Sequence, residues 1–468
     1  MLEIFLGDNM NNKSILGTEK IGKLIFKLSI PMILAQLVNL AYNMVDRIFI
    51  GRLENIGHIA LGGVGVCFPI IIIISALSAL FGMGGAPLAS IKLGEGKTNE
   101  AEDTLNNSFW LILITSIILI PIMFIFKEPI LVAFGANNEN IIYANEYLNI
   151  YILGTFFVMI SLGLNQYISG QGFSGFAMIS VCIGAILNII LDPIFIFLFD
   201  MGVSGAALAT IISQLASSIF VLIFFSSKKT HIKINLKKIT LNKKIIKSIC
   251  LLGIAPFIMQ STEALVQISF NNQIKAYYPE STETLYLTSM TILLSLMSLV
   301  SMPLHGFVNG CQSIISYNYG AKNYKRVKEC VFIVVLIAGL TSFILSGAII
   351  VFPKFFIGIF SNESSIIEIA SPLTKIFFFG MLFMGIQIGC QTTFLALGKS
   401  LISIALAGLR KIVLLIPLTF ILPLFMKAKG IYFAEMISDL VAISTTLMTF
   451  TIIFPKIIKQ KDVGVINE

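Results

Sequence analysis

Apolar runs of about 20 residues recur along the whole of this chain, and no other feature limits its fold as strongly. Each run is long enough to cross a hydrocarbon core of ~30 Å as a helix that satisfies its own backbone groups. A closed barrel would need alternating strands, and these runs do not alternate. The 468 residues are 56% hydrophobic and 12% charged, far from the roughly 25% charged composition of soluble domains. The spans predicted are 24–50, 60–91, 106–126, 146–168, 174–198, 203–225, 249–272, 285–308, 329–352, 370–394, 401–424 and 431–454. The expected fold is an all-α membrane protein of twelve helices.

The formal net charge of +8 is explained by topology rather than by nucleic acid, since the lysines sit in particular loops with no interleaved aromatics. Residues 226–248 form a polar linker carrying Lys228, Lys229, Lys233, Lys237, Lys238, Lys243, Lys244 and Lys247, and are expected on the cytoplasmic side. Twelve spans return both termini to that side. Lys322, Lys325, Arg326 and Lys328 after the eighth span agree, as do Lys456, Lys459 and Lys461 at the end. Residues 1–23 lack the continuous apolar stretch and cleavage site of a signal peptide, so the first span is expected to act as its own signal. The expected organisation is a cytoplasmic segment 1–23, a first half 24–225, the linker 226–248, a second half 249–454 and a cytoplasmic tail 455–468.

Cys67, Cys182, Cys250, Cys311, Cys330 and Cys390 are scattered without a CxxC pair and read as small packing residues. His58, His231 and His305 show no zinc-ligand spacing. The chain carries no GxxxxGK[ST] loop, so an ion gradient or a partner protein is expected to supply energy.

The two halves repeat. GAALATIISQLAS from Gly205 aligns with GIYFAEMISDLVA from Gly430, and Pro31, Gly82, Gly94, Gly172 and Pro193 align with Pro256, Gly306, Gly320, Gly398 and Pro417. Offsets stay between 224 and 226. With six spans per half, both halves enter the membrane from the same side, which predicts a pseudo-twofold axis along the membrane normal.

Acids inside apolar helices are costly, by ~3 kcal/mol on insertion scales and more in simulations. Asn39, Tyr42 and Asp46 share one face of the first span, Asn188 and Asp192 one face of the fifth, and Thr210, Ser213, Gln214 and Ser217 a stripe on the sixth. If these helices are neighbours, Asp46, Asn188, Asp192 and Thr210 converge into an all-oxygen site suited to a hard cation such as Na⁺. Two close carboxylates could equally carry a proton. Pro193 deprives the Ile189 carbonyl of its helical partner, and Pro31 interrupts the first span; both are candidate hinges, although Pro31 near a helix start also suits an N1 position. In the second half, Gln260, Glu263, Gln267 and Asn271 line the seventh span, Glu435, Ser438 and Asp439 the twelfth, and Arg410 and Lys411 lie in the eleventh. These charges read either as a neutralising network or as a substrate or ion site. Met and Phe within the spans would suit an adaptable apolar pocket or simple packing.

SIPMILAQLVNLAYNMVDRIFIG from Ser29, LNIILDPIFIF from Leu187, GVSGAALAT from Gly202 and GCQSIISYNYGAKN from Gly310 resemble the multidrug and toxic compound extrusion (MATE) family, in family order. The resemblance covers about 20–455 and is nearest to the DinF-like and MepA-like bacterial and archaeal branch. It implies an N-terminal cation site at Asp46, Asn188, Asp192 and Thr210, with cavity residues at Asn39, Tyr42 and Asn165. Gln260 and Glu263 are the second-half cavity candidates; Glu263 approximates an acid of the NorM-like branch, whose tenth-helix Asp has no counterpart here.

The expected function is alternating-access export of cationic or neutral amphipathic drugs in exchange for Na⁺ or H⁺. The protein would work as a monomer in the bacterial inner membrane, without cofactor, nucleic acid or any metal beyond that Na⁺. A lipid-linked precursor flippase of the same superfamily is the alternative. An enzyme would need a constellation of nucleophile, base or metal that the sequence does not offer.

Overall fold

The computed structural model describes residues 15–53, 56–235, 241–361 and 363–466; Lys237 and Lys238 lie outside the described residues, and the Lys461 side chain is not among those placed. Among the described residues eleven helices are long and apolar enough to cross a membrane, and twelve when one bent pair counts as a single span. In order they are α1 (Ile21–Gly51), α2 (Gly57–Gly94), α3 (Thr98–Ala133), α4 (Ile141–Leu153 with Thr155–Gly170), α5 (Ser174–Leu198), α6 (Gly202–Ser226), α7 (Lys243–Tyr277), α8 (Thr282–Gly320), α9 (Tyr324–Val351), α10 (Ser364–Ala396), α11 (Ser400–Met426) and α12 (Lys429–Lys459). Many outrun the predicted spans because their polar ends keep helical hydrogen bonds beyond the apolar stretch. On α9, Phe332, Leu336, Leu340 and Phe343 are exposed at helical spacing, an apolar outer face suited to lipid.

The sharpest break is a 60° bend between the two parts of α4 at Gly154, not at a predicted proline. A Cβ there would lie 2.0 Å from the Ile211 side chain on α6, so the bend lets α6 pack into the corner. Pro31 lies well inside α1 and is not an N1 residue. After Pro193 the chain widens into a π-helical stretch, Ile194–Leu198, and the partner helix α11 does the same over Leu409–Leu415, just before Pro417.

The repeat is visible in three dimensions. The matched turns after α4 and α10 hold Gly172 and Gly398 at φ +89° and +69°, a left-handed conformation open to glycine. Helix α1 packs on α8 and, symmetrically, α2 on α7. Between them α2 and α8 cross so closely that a Cβ on Gly94 would lie 2.0 Å from the Tyr317 carbonyl, and one on Gly320 2.0 Å from the Ile91 carbonyl. These reciprocal contacts place the pseudo-twofold axis between them. Gly84 against Ile249 and Gly253, and Gly310 against Leu28 and Ser29, extend the seam on either side.

The hydrophobic interior divides into two clusters, one per half, with an exchange at the seam. Leu16, Ile21, Leu24, Ile25 and Leu28 belong to the second-half cluster, whereas Ile249 belongs to the first. Arg326 donates to the carbonyls of Leu16 (3.1 Å) and Glu19 (2.6 Å), and Asn318 donates to Leu16 (2.8 Å). The linker is held in turn by the first half. Buried Gln171 accepts from Thr230 and from the His231 and Ile232 amides, while Asn106 and Asn107 accept from the Asn235 and Asn242 amides. All six described linker lysines are exposed.

The tightness of the seam makes a stability prediction. Gly253, whose Cβ would lie 1.8 Å from the Leu80 carbonyl, should lose about 1–3 kcal/mol on Gly253→Val, as overpacked sites do. The midpoint of thermal unfolding in detergent should fall, whereas Gly22→Ala, facing open space, should leave it unchanged.

Candidate functional site

Helix α5 lies against both α1 and α6, so the three polar stripes of the first half do meet. Asn188 and Asp192, one turn apart on α5, are 2% and 0% exposed. The Asn188 amide donates to Asp192 Oδ1 (3.0 Å) and reaches Thr210 Oγ1 at 3.4 Å. Thr210 spends its own proton on the Ala206 carbonyl (3.0 Å), so toward Asn188 its oxygen can only accept. Asp46, on α1, is near enough to interact electrostatically with Asp192. Its neighbour Arg47 lies over the Phe68 ring, 4.6 Å from the centroid.

Three buried oxygens of this group, Asp46 Oδ1, Asn188 Oδ1 and Asp192 Oδ2, have no hydrogen-bond partner. Buried acceptors without donors cost about 1–3 kcal/mol each, more when charged. Their chemistry, two carboxylate oxygens and one amide oxygen, fits a hard cation or a proton. Tyr147, on the first part of α4, lies near Asp46 and Thr210 and stacks on Tyr151 with ring centroids 5.8 Å apart. Neither tyrosine is marked by the sequence, since only the bend at Gly154 turns them onto the group.

Alongside lies a cavity of about 80 Å³ lined by Gln36, Asn39, Tyr42, Asn165, Gln214 and Thr210 among others. Asn39, Tyr42 and Asn165, the first-half cavity candidates, are among its lining residues. Gln260 and Glu263 do not line this cavity. Glu263 instead faces Lys411, Oε2 to Nζ 2.7 Å, in a second charged group. There Arg410 donates from Nε to Asp439 Oδ1 (2.8 Å) and from Nη2 to Glu435 Oε1 (3.2 Å), all three side chains at 2% exposure or less.

A protein-family model described as MatE matches residues 31–194 and 274–421. The chain belongs to the MatE family. The multidrug export protein MepA of Staphylococcus aureus is 26% identical over 92% of this chain and 93% of its own length. That of Staphylococcus saprophyticus is 26% identical over 90% and 92%. A MOP superfamily transporter from Pyrococcus furiosus superposes with a TM-score of 0.88 at 22% identity, covering 96% of this chain and 99% of that one. A multidrug resistance MATE family transporter in an outward-facing conformation superposes at 0.87 and 22% identity, over 97% and 100%. The MatE match spans parts of both halves and contains Asp46, Asn188, Asp192 and Arg410.

The Arg410 group generates a test of its own. Arg410→Met in this MatE chain strands two buried carboxylates and should cost about 3–5 kcal/mol, read as a lowered unfolding midpoint. Adding Glu435→Gln and Asp439→Asn should restore most of the loss; an unchanged midpoint for Arg410→Met alone would contradict the pairing.

Proposed function

We propose that the protein is a secondary active exporter of cationic or neutral amphipathic organic compounds, driven by inward movement of Na⁺ or H⁺. The observation that carries this reading is the set of unpartnered acid and amide oxygens in the first half, beside a polar cavity, in a chain of the MatE family. Its relatives, named as multidrug export proteins, point the same way.

Asp46, Asn188, Asp192 and Thr210 hold the coupling ion. Asn39, Tyr42 and Asn165 face the cargo, and Glu263 and Gln260 on α7 face it from the second half. The linker and both termini lie in the cytoplasm, as the exposed lysines favour. The tight seam at the linker end then closes the protein inward, and the first-half cavity opens outward. An ion arriving from outside satisfies the stranded oxygens, and the free energy it gains in that state is what releases cargo outward. Rocking of the halves about the pseudo-twofold axis reopens the empty protein to the cytoplasm, with Pro31 and Pro193 and its π-helical stretch absorbing the bend. The protein works as a monomer in the bacterial inner membrane and needs no cofactor. Acids rather than bases in the first half disfavour an anionic lipid-linked cargo.

Dye efflux from proteoliposomes, with Na⁺ and pH gradients imposed separately, tests the reading. Asp192→Asn and Asp46→Asn should each slow gradient-driven efflux at least about tenfold, a change of about 1.4 kcal/mol. Full efflux from correctly inserted Asp192→Asn would remove Asp192 from the ion site, and no response to either gradient would remove antiport altogether. For topology, a cysteine placed at Lys229 should react with a membrane-impermeant maleimide in inverted vesicles and not in intact cells.

A further inference from the structure

The charged group of the second half does not balance. Glu263 from α7, Glu435 and Asp439 from α12 supply three acids, and Arg410 and Lys411 from α11 supply two bases. Helix α8 adds His305, whose Nδ1 meets the Ser301 carbonyl at 2.8 Å. The wall from α10 brings no charge to the group: Met384 Sδ lies 3.7 Å from Arg410 Nη2, and Gly380 leaves the space in which Asp439 sits, its absent Cβ falling 3.2 Å from Asp439 Oδ2. With every acid ionised and His305 neutral, the group carries one uncompensated negative charge inside a membrane-spanning bundle, a costly arrangement.

The surplus can be located. Glu263 is half-exposed and occupied by Lys411 at 2.7 Å. Glu435 and Asp439 are 1% and 0% exposed. Each gives one oxygen to Arg410, and the other, Glu435 Oε2 or Asp439 Oδ2, has no partner. Four residues apart on α12, the two carboxyls stand on one helical face around one guanidinium. From this geometry we infer that the Glu435 and Asp439 pair is a proton-binding site, separate from the first-half ion site, holding one proton on one of the two carboxyls.

A proton suits the place better than Na⁺. Hard cations draw on about six oxygens, whereas two unpartnered oxygens are available here, and the Arg410 charge repels a metal ion lodged between them. One proton neutralises the group and turns an orphaned acceptor into a donor. Glu263 and His305 form the exposed edge of the group.

Infrared spectroscopy of the full-length protein in detergent at neutral pH tests this without measuring transport. In an Asp46→Asn/Asp192→Asn background, which silences the first-half acids, the carbonyl band of one buried protonated carboxylic acid should be present. It should be unmoved by excess Na⁺ and lost on adding either Glu435→Gln or Asp439→Asn. If the background variant does not fold, the wild-type band should lose one acid's intensity on Glu435→Gln alone. Absence of the band, its survival in both added variants, or its disappearance on adding Na⁺ would overturn the assignment. Because the spectrum reads a bound proton at equilibrium and not transport, its failure leaves the exporter reading standing, and failed efflux leaves the proton site standing.

Discussion

Two helices crossing almost backbone to backbone hold this molecule together. At Gly94 and Gly320, α2 and α8 come closer than any side chain allows, and the packing of α1 on α8 and of α7 on α2 follows from that crossing. In a bilayer the lipid is as apolar as leucine, so helices gain little by hiding hydrophobic surface from each other and gain more by close van der Waals contact. Small residues at the seam supply that contact. Its placement at the linker end leaves each half free to enclose a polar group of its own.

The polar groups of the two halves solve the problem of intramembrane charge differently. The first half keeps two acids with no base among their hydrogen-bonding partners and leaves three buried oxygens without donors, a costly arrangement. The second half answers its acids with Arg410 and Lys411 and is nearly self-sufficient. A duplicated scaffold thus carries one polar group whose acids have no bonded base and one whose acids are each met by a base. The partner helices α5 and α11 each carry a π-helical stretch, but at different places in the repeat, beside Asp192 after Pro193 in one half and around Arg410 and Lys411 before Pro417 in the other.

Much of this was legible in the residues. Span length and apolarity define the helices because a bilayer admits few alternatives, and i, i+3 and i, i+4 spacing defines the stripes because a helix has one period. Asp46, Asn188, Asp192 and Thr210 could therefore be grouped before their helices were known to touch. The bend at Gly154 was not legible, since its cause is Ile211 on a distant helix. Tyr147 and Tyr151 stayed hidden for the same reason. Arg410, Glu435 and Asp439 were legible as charges but not as partners, because which acid meets which base depends on how α7, α11 and α12 are set side by side. Gly84, Gly253 and Gly310 resemble any other glycine until a neighbouring backbone arrives.

The exchange of lead-in segments ties the two halves together. Residues 16–28 complete the apolar interior of the second half, while Ile249 completes that of the first. Neither half closes its apolar interior with its own helices alone. The linker therefore joins two units whose apolar interiors are each closed by the segment leading into the other half.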